Sequence, residues 1–291
     1  KFVSSYLRKR TFTVNVQNSF STERRIVEGV PQGSILGPIL FLIYMNDLPK
    51  HADTNIALFA DDTAIYASSW CKDKALKSIQ GHIHMLEEYY IKWKIKINVD
   101  KTEIMILSHK IAAPKTSVYM YNHQLQFTKK VKYLGLILDN KLSWSEHVKT
   151  IIKKVNAAIS ILYPLICRNS YVSTYNKLTI YKMCIKPIIM YANPIWSNTC
   201  KSNYVKLQNL QNKCLRMAVN ASPQTTNNEL HSLLKINNLK DDIVMQTKNF
   251  YMEKLENINI LKNICNIRAK HPWAKYKLPQ QIIIDINSQW D

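Results

Sequence analysis

The chain has 291 residues, 46% hydrophobic and 10% aromatic. This excludes a disordered protein and allows one large domain or two ordinary ones. Its formal charge of +20 is unevenly placed: residues 104–228 hold 17 Lys or Arg against two acids, Asp139 and Glu146, and residues 147–228 hold no acid. Such a field attracts phosphate backbones, so a nucleic-acid partner is expected.

The six cysteines form no CxxC pair and have no histidines at zinc-finger spacing, which argues against structural zinc. They read as reduced core residues of an intracellular protein. The apolar runs Ile35–Met45 and Ile188–Ala192 are too short to span a bilayer, so no membrane partner is expected. No secretory or transit peptide is visible. The chain opens at Lys1 inside a stretch that already reads as an element, and is expected to be a piece of a longer polypeptide.

In chain order, residues 1–10 read as the end of a helix, with Phe2, Val3, Tyr6 and Leu7 at helical spacing. Thr11–Val16 alternates as a strand does, and Ile26–Val30 is its expected partner across a polar loop. Three of the five glycines, Gly29, Gly33 and Gly37, cluster before a helix that Ser34 can cap and whose first turn tolerates Pro38. That helix is apolar nearly all round and should be buried.

Residues 56–67, IALFADDTAIYA, place two runs of β-formers around Asp61 and Asp62. The pattern is a tight hairpin, yet adjacent carboxylates replace the Asn-Gly or Asp-Gly such turns prefer. Two like charges side by side oppose each other's ionisation, and a broken local rule between well-formed strands marks a functional site. Paired carboxylates on a rigid tip suit divalent cations that take hard oxygen ligands, although a solvated turn has the same composition.

Next, Leu76, Ile79, Ile83, Leu86, Tyr90 and Trp93 form the stripe of an amphipathic helix on the back of the sheet. Ile95–Val99 and Ile104–Leu107 read as strands around a turn at residues 100–102. Tyr119–Asp139 reads as a hairpin in which Val131–Leu138 is the clearest strand. Ser143 and Glu146 have capping-box spacing. The helix after them carries Val148, Ile151, Ile152, Val155, Ile159 and Leu162 inward and Lys149, Lys153 and Lys154 outward. Only helices are expected beyond it: Leu178–Tyr191 interrupted by Pro187, then Tyr204–Val219, Asn228–Leu234 and Asp242–Ile258.

Read together, EGVPQGSILGPILFLIYMNDLP at Glu28–Pro49 and FADD at Phe59–Asp62 resemble the palm of reverse transcriptases. The likeness is to those of non-LTR retrotransposons of the jockey and LINE type, where a PQG turn opening a long helix precedes a YADD or FADD hairpin. INVDKTEIMIL resembles the family's next palm motif, and Tyr133, Leu134 and Gly135 match its YLG segment. The resemblance covers roughly residues 1–160. It implies an α+β fold: the C-terminal part of a polymerase palm, an antiparallel sheet with packed helices, followed by an all-helical thumb-like region. The divisions expected are palm 1–108, primer-grip hairpin or connection 109–142, helical thumb 143–270 and tail 271–291.

The resemblance further implies an RNA-directed DNA polymerase using two Mg²⁺ ions, or Mn²⁺ in their place, held by Asp61 and Asp62. Asp61 would bridge the ions; the remaining essential aspartate lies on an earlier strand, outside this chain. Lys101 is the candidate general acid for the pyrophosphate leaving group. Pro31, Gln32, Gly33 and Phe59 would face the incoming nucleotide and templating base. Tyr133, Leu134 and Gly135 would grip the primer, while Lys149, Lys153 and Lys154 would track the duplex backbone. The implied partners are an RNA template, a DNA primer or target and dNTPs, and the implied compartment is the nucleus. The competing expectation is an inactive remnant that binds nucleic acid only through its basic region. Group II intron and telomerase-type enzymes resemble the PQG run less well.

Overall fold

The computed structural model describes residues 1–26, 29–31, 33–108, 114–222 and 224–255. Val27, Glu28, Gln32, Cys265, the end of the last predicted helix and the tail 271–291 lie outside the described residues. Of those described, 1–104 with 114–126 form one compact unit and 105–108 with 127–255 a second. The stretch expected as one connection, 109–142, is thereby divided between the two.

The first unit opens with α1 (Phe2–Leu7), β1 (Thr11–Phe12), β2 (Asn15–Val16), β3 (Ser19–Phe20) and β4 (Arg24–Arg25). β2 and β3 form a tight hairpin, because Gln17 and Asn18 both take positive φ (49° and 64°), the dihedrals of a type I′ turn. β1 pairs with β4 around it, Thr11 opposite Arg25. The expected polar loop is therefore itself a hairpin, and the strand partner begins before Ile26.

The helix after the glycine cluster, α2 (Leu36–Met45), is where the structure departs furthest from expectation. The apolar pattern predicts burial, yet Ile35 is 91% and Ile43 65% exposed. A helix apolar all round needs neighbours on every side, and here it is its C-terminal end that meets one. Tyr44 lies edge-on to Trp93 at 5.6 Å between ring centres, and its carbonyl accepts from the Tyr89 hydroxyl at 3.1 Å. Replacing Ile43 by Lys is accordingly expected to change stability by no more than about 0.5 kcal/mol in urea unfolding. A buried isoleucine would cost several times that.

β5 (Asn55–Phe59) and β6 (Asp62–Tyr66) follow, then α3 (Lys72–Lys92), whose predicted stripe buries Leu76, Ile83, Leu86 and Tyr90. Trp93 closes the helix at 40% exposure. A second set of α3 residues, seven apart, holds the segment that follows Pro114. Asp73 Oδ1 accepts from the Lys115 and Thr116 N–H groups at 2.9 and 2.8 Å. The Gln80 amide exchanges two hydrogen bonds with the Tyr119 backbone, at 2.7 and 3.0 Å. Glu87 accepts from the Tyr121 N–H. The Thr116 hydrogen bonds hold the Asp73 carboxyl below its ordinary range. This frame carries the hairpin of β7 (Tyr119–Met120) and β8 (His123–Gln124).

The two strands expected at 95–99 and 104–107 do not form. Asn98 Oδ1 takes the Lys101 N–H at 3.3 Å and closes a 3-10 turn over Val99–Lys101. A short polar side chain thus competes with a ladder for a backbone donor. What remains of the second strand is a bridge at Ile104, whose N–H donates to the Gln126 carbonyl at 3.4 Å.

In the second unit the predicted strand 131–138 is two strands, β9 (Lys130–Tyr133) and β10 (Leu136–Asp139), paired antiparallel with Tyr133 opposite Leu136. α4 (Ser145–Ile166) follows. Its expected Ser143–Glu146 capping box is not made: Glu146 instead pairs with Lys149 at 2.6 Å and Lys130 at 3.7 Å. Asp139 instead braces the loop that leads into the helix. Its carboxylate accepts from the N–H groups of Lys141, Ser143 and Trp144 at 3.1, 3.0 and 2.9 Å and from the Ser143 hydroxyl at 3.1 Å.

The remaining helices are α5 (Thr174–Ile180), a π turn at Tyr181–Ile185, α6 (Lys186–Met190), α7 (Asn193–Trp196), α8 (Lys201–Val219), α9 (Asn227–Leu234) and α10 (Leu239–Leu255). Pro187 has no N–H to return to the preceding turn, and the chain absorbs this by widening to a π turn instead of breaking. α4 and α8 pack through Val148, Ile151, Val155, Leu207 and Leu215, with Tyr181, Ile185 and Trp196 fully or almost fully buried beside them. Of the described cysteines only Cys214 is buried, and Cys71 and Cys184 are exposed, so reading all of them as core residues was too broad. Among the described residues no helix is long and apolar enough to cross a membrane.

His147 is a buried imidazole that the apolar stripe conceals. It lies between Trp144 and Trp196 and accepts the Ile137 N–H at Nδ1, 3.3 Å away. Burial, helped by the charge of Lys154, lowers its pKa from 6.5 to about 4. The unfolded chain therefore binds the proton first. Stability should be intact above about pH 6.5 and fall as pH drops toward 4, by about 3 kcal/mol. A pH series of urea midpoints checks this, with His147→Leu expected to flatten the profile.

Candidate functional site

The β5–β6 hairpin presents the paired aspartates. Its strands align Phe59 with Asp62 and Leu58 with Thr63, so the two turn residues are Ala60 and Asp61. The tip sits one residue earlier than the Asp61–Asp62 break in the sequence, and Ala60 carries the positive φ (50°). A non-glycine residue held there is strained by about 1–2 kcal/mol.

Strand alternation then sorts the faces. Thr63 lies beside Tyr90 of α3, so its face of the hairpin lies on that helix. Asp62 and its cross-strand partner Phe59 lie on the opposite face, both exposed, with Phe59 at 62%. Asp61 is exposed at the turn. Neither carboxylate is engaged in a hydrogen bond or ion pair among the described residues. Two uncommitted hard-oxygen donors on a fixed tip fit Mg²⁺, which keeps several waters and takes one or two carboxylates alongside substrate phosphates. No cluster of three or more His, Cys, Asp or Glu side chains able to hold a metal occurs among the described residues.

His82 fixes this hairpin from beneath, and sequence reasoning missed it. It is fully buried, with Nδ1 at 2.6 Å from Thr54 Oγ1 and Nε2 at 2.9 Å from the Pro49 carbonyl. It thereby ties the loop entering β5 to α3. Its place beside the apolar stripe, one residue before Ile83, was the available signal.

In the PQG turn, Pro31 is half-buried and Gly33 exposed at φ 78°, while Gln32 lies outside the described residues. The Ser34 hydroxyl donates to the Pro31 carbonyl at 3.0 Å and accepts from the Gly37 N–H at 2.9 Å. Ser34 thus acts one residue ahead of the cap position. A Cβ at residue 37 would stand 2.8 Å from the Pro31 carbonyl oxygen, which explains the third glycine as a close backbone approach. Arg10 closes the turn from the other side, donating to the Gly29 carbonyl at 2.5 Å. Lys101 is exposed at the end of the 3-10 turn, and among the described residues no hydrogen bond or ion pair joins it to Asp61 or Asp62.

In the second unit, Tyr133 ends β9 and Leu134 and Gly135 form its turn, with φ of 46° and 79°. Tyr191, at the end of α6, donates its hydroxyl to the Leu134 carbonyl at 2.9 Å. A Cβ at residue 135 would meet its ring at 3.1 Å. The glycine is needed twice, for its dihedral and for this contact. Gly135→Ala is expected to destabilise the second unit by about 1–2 kcal/mol, read as a lower urea midpoint. Lys149, Lys153 and Lys154 are all exposed on α4, as the stripe predicts.

Residues 2–138 match the family described as "Reverse transcriptase (RNA-dependent DNA polymerase)". Among curated proteins, the chain is 32% identical over 93% of its length to a probable RNA-directed DNA polymerase from transposon X-element of Drosophila melanogaster. It is 32% identical over 85% to the corresponding protein of transposon BS from the same fly. It is 28% identical over 90% to the RNA-directed DNA polymerase from mobile element jockey, also of Drosophila melanogaster. It spans 30%, 28% and 29% of those three proteins respectively. By this match and its PQG and FADD elements, residues 2–138 form a reverse transcriptase domain, in a chain similar to the RNA-directed DNA polymerases of non-LTR transposons.

Proposed function

We propose that this chain serves RNA-directed DNA synthesis, contributing the metal-holding hairpin, the nucleotide-facing turn and the primer grip of a polymerase. The observation that carries the reading is the FADD tip, where two exposed, uncommitted carboxylates stand on a hairpin anchored by Tyr90 and His82.

In this reading Asp61 and Asp62 would hold Mg²⁺, Asp61 as the principal ligand, together with a carboxylate from outside the chain. Bound there, the ions would activate the primer 3′-oxygen and offset charge on the leaving pyrophosphate. Phe59, on the same face as Asp62, and the Pro31–Gly33 turn border the incoming nucleotide and templating base. Lys101 gives a proton to the pyrophosphate. The Tyr133–Gly135 turn holds the primer strand, its shape fixed by Tyr191. Lys149, Lys153 and Lys154 meet backbone phosphates of the RNA–DNA hybrid without reading sequence.

Fluorescence anisotropy with a labelled RNA–DNA primer–template tests the platform. Affinity should fall steeply with salt, and replacing the three α4 lysines by Ala should flatten the log–log slope by about 2–3. A chain that ignores the hybrid at low salt would sink the proposal.

A further inference from the structure

Beyond the α4 lysines, the second unit has an open groove of about 440 Å³ lined by Asn209, Asn212, Lys213, Arg216, Met217 and Asn227. We propose that it binds a single strand of nucleic acid, a surface separate from the duplex-tracking face of α4. The proposal deepens the polymerase reading and rests on it.

α8 divides its residues by face. Leu207, Leu210, Cys214, Leu215 and Ala218 go to the core. Lys206, Asn209, Lys213 and Arg216 recur at intervals of three and four along the other side. Lys206, Asn209 and Lys213 are exposed, and none is engaged in a hydrogen bond or ion pair among the described residues. Arg216 donates to the carbonyls of Ser222 and Thr225 at 3.3 and 2.6 Å and to Asn227 Oδ1 at 3.0 Å. These acceptors are neutral, so the guanidinium charge stays uncompensated while it shapes the wall between α8 and α9. The nearest acid along α9, Glu229, is turned away into its capping box, accepting from the Thr226 N–H at 2.8 Å.

The chemistry of the lining selects the occupant. Lys213 and Arg216 provide positive charge for phosphate. Met217 and the lysine stems provide an apolar floor on which a base or sugar can rest. Asn209 and Asn227 provide amides able to bond base edges or a 2′-hydroxyl. A duplex hides its base faces, whereas a single strand offers phosphate, sugar and base together.

The test uses the whole chain and labelled single strands of about 12 nucleotides, one RNA and one DNA of matching sequence. Lys213→Glu should weaken binding at low salt by about three- to fivefold, and Lys213→Gln should lower the log–log salt slope by about 0.7. RNA favoured over DNA, with the preference lost in Asn209→Ala, assigns the amides to the 2′-hydroxyl; equal binding assigns the site to phosphate and base alone, and both support it. If single strands bind as tightly to both Lys213 variants but lose affinity when the α4 lysines are replaced, the groove is not the site, although the polymerase reading stands. No binding of any nucleic acid defeats both. Competition by a poly-glutamate peptide as effective as that by the oligonucleotides would overturn the assignment in favour of an acidic protein partner.

Discussion

Primer extension on an RNA template, measured with the catalytic centre complete, is expected to fall at least about a thousandfold when Asp61 is replaced by Ala. The loss corresponds to roughly 4 kcal/mol of transition-state stabilisation, the scale expected when a principal metal ligand is removed. Asp62→Ala should cost less, since Asp62 is the secondary ligand in the proposed centre. Folding should be untouched in both variants. Each side chain is exposed and makes no intramolecular hydrogen bond among the described residues, so the change in stability stays within about 0.5 kcal/mol. Activity lost without stability is the signature of a functional carboxylate. Comparable losses of both would make the pair a structural turn.

The largest stability effect belongs to a different aspartate. Asp139→Ala should destabilise the second unit by about 3–5 kcal/mol, measured by chemical denaturation. The carboxylate is only 9% exposed and accepts four hydrogen bonds that reverse the chain between β10 and α4. Its removal orphans three backbone donors at once, each costing on the order of 1 kcal/mol or more. It also frees a segment in which Leu142 and Trp144 are held at positive φ, 51° and 63°. Asp139→Asn keeps the size but offers one acceptor oxygen instead of two, and should cost about half as much.

These two aspartates show what the sequence could and could not disclose. FADD and PQG were legible because their residue types are unusual in the local structure they occupy, and the family match agrees with them. The position of the turn was not, since an Ala-Asp pair gives no sign that Ala60 will take positive φ. The hairpin at Leu134–Gly135 was hidden for a related reason. A mostly apolar run without a polar turn reads as one strand, and its single glycine could equally have been a bulge. Ser143 and Glu146 have the right spacing for a cap, yet Asp139 takes the Ser143 N–H with a charged acceptor, and Glu146 turns to lysines instead. The apolar pattern of α2 described what the helix could bury but not which neighbours would be there. The helical stripes on α3 and α4 were legible, Trp93 apart, because a 3.6-residue period needs no knowledge of the partner.

Iron-directed cleavage tests the central claim most directly. Fe²⁺ can replace Mg²⁺ at oxygen ligands and, with ascorbate and peroxide, releases radicals that cut whatever lies nearby, whether or not the protein is catalytically active. With an RNA–DNA primer–template bound, the account predicts cuts in the chain around residues 59–63 and in the primer near its 3′ end. Both should disappear in the Asp61→Ala/Asp62→Ala variant and be suppressed by excess Mg²⁺. Cuts that persist in that variant, or that fall elsewhere in the chain, would contradict the assignment of the hairpin tip as the metal-holding end of a polymerase site.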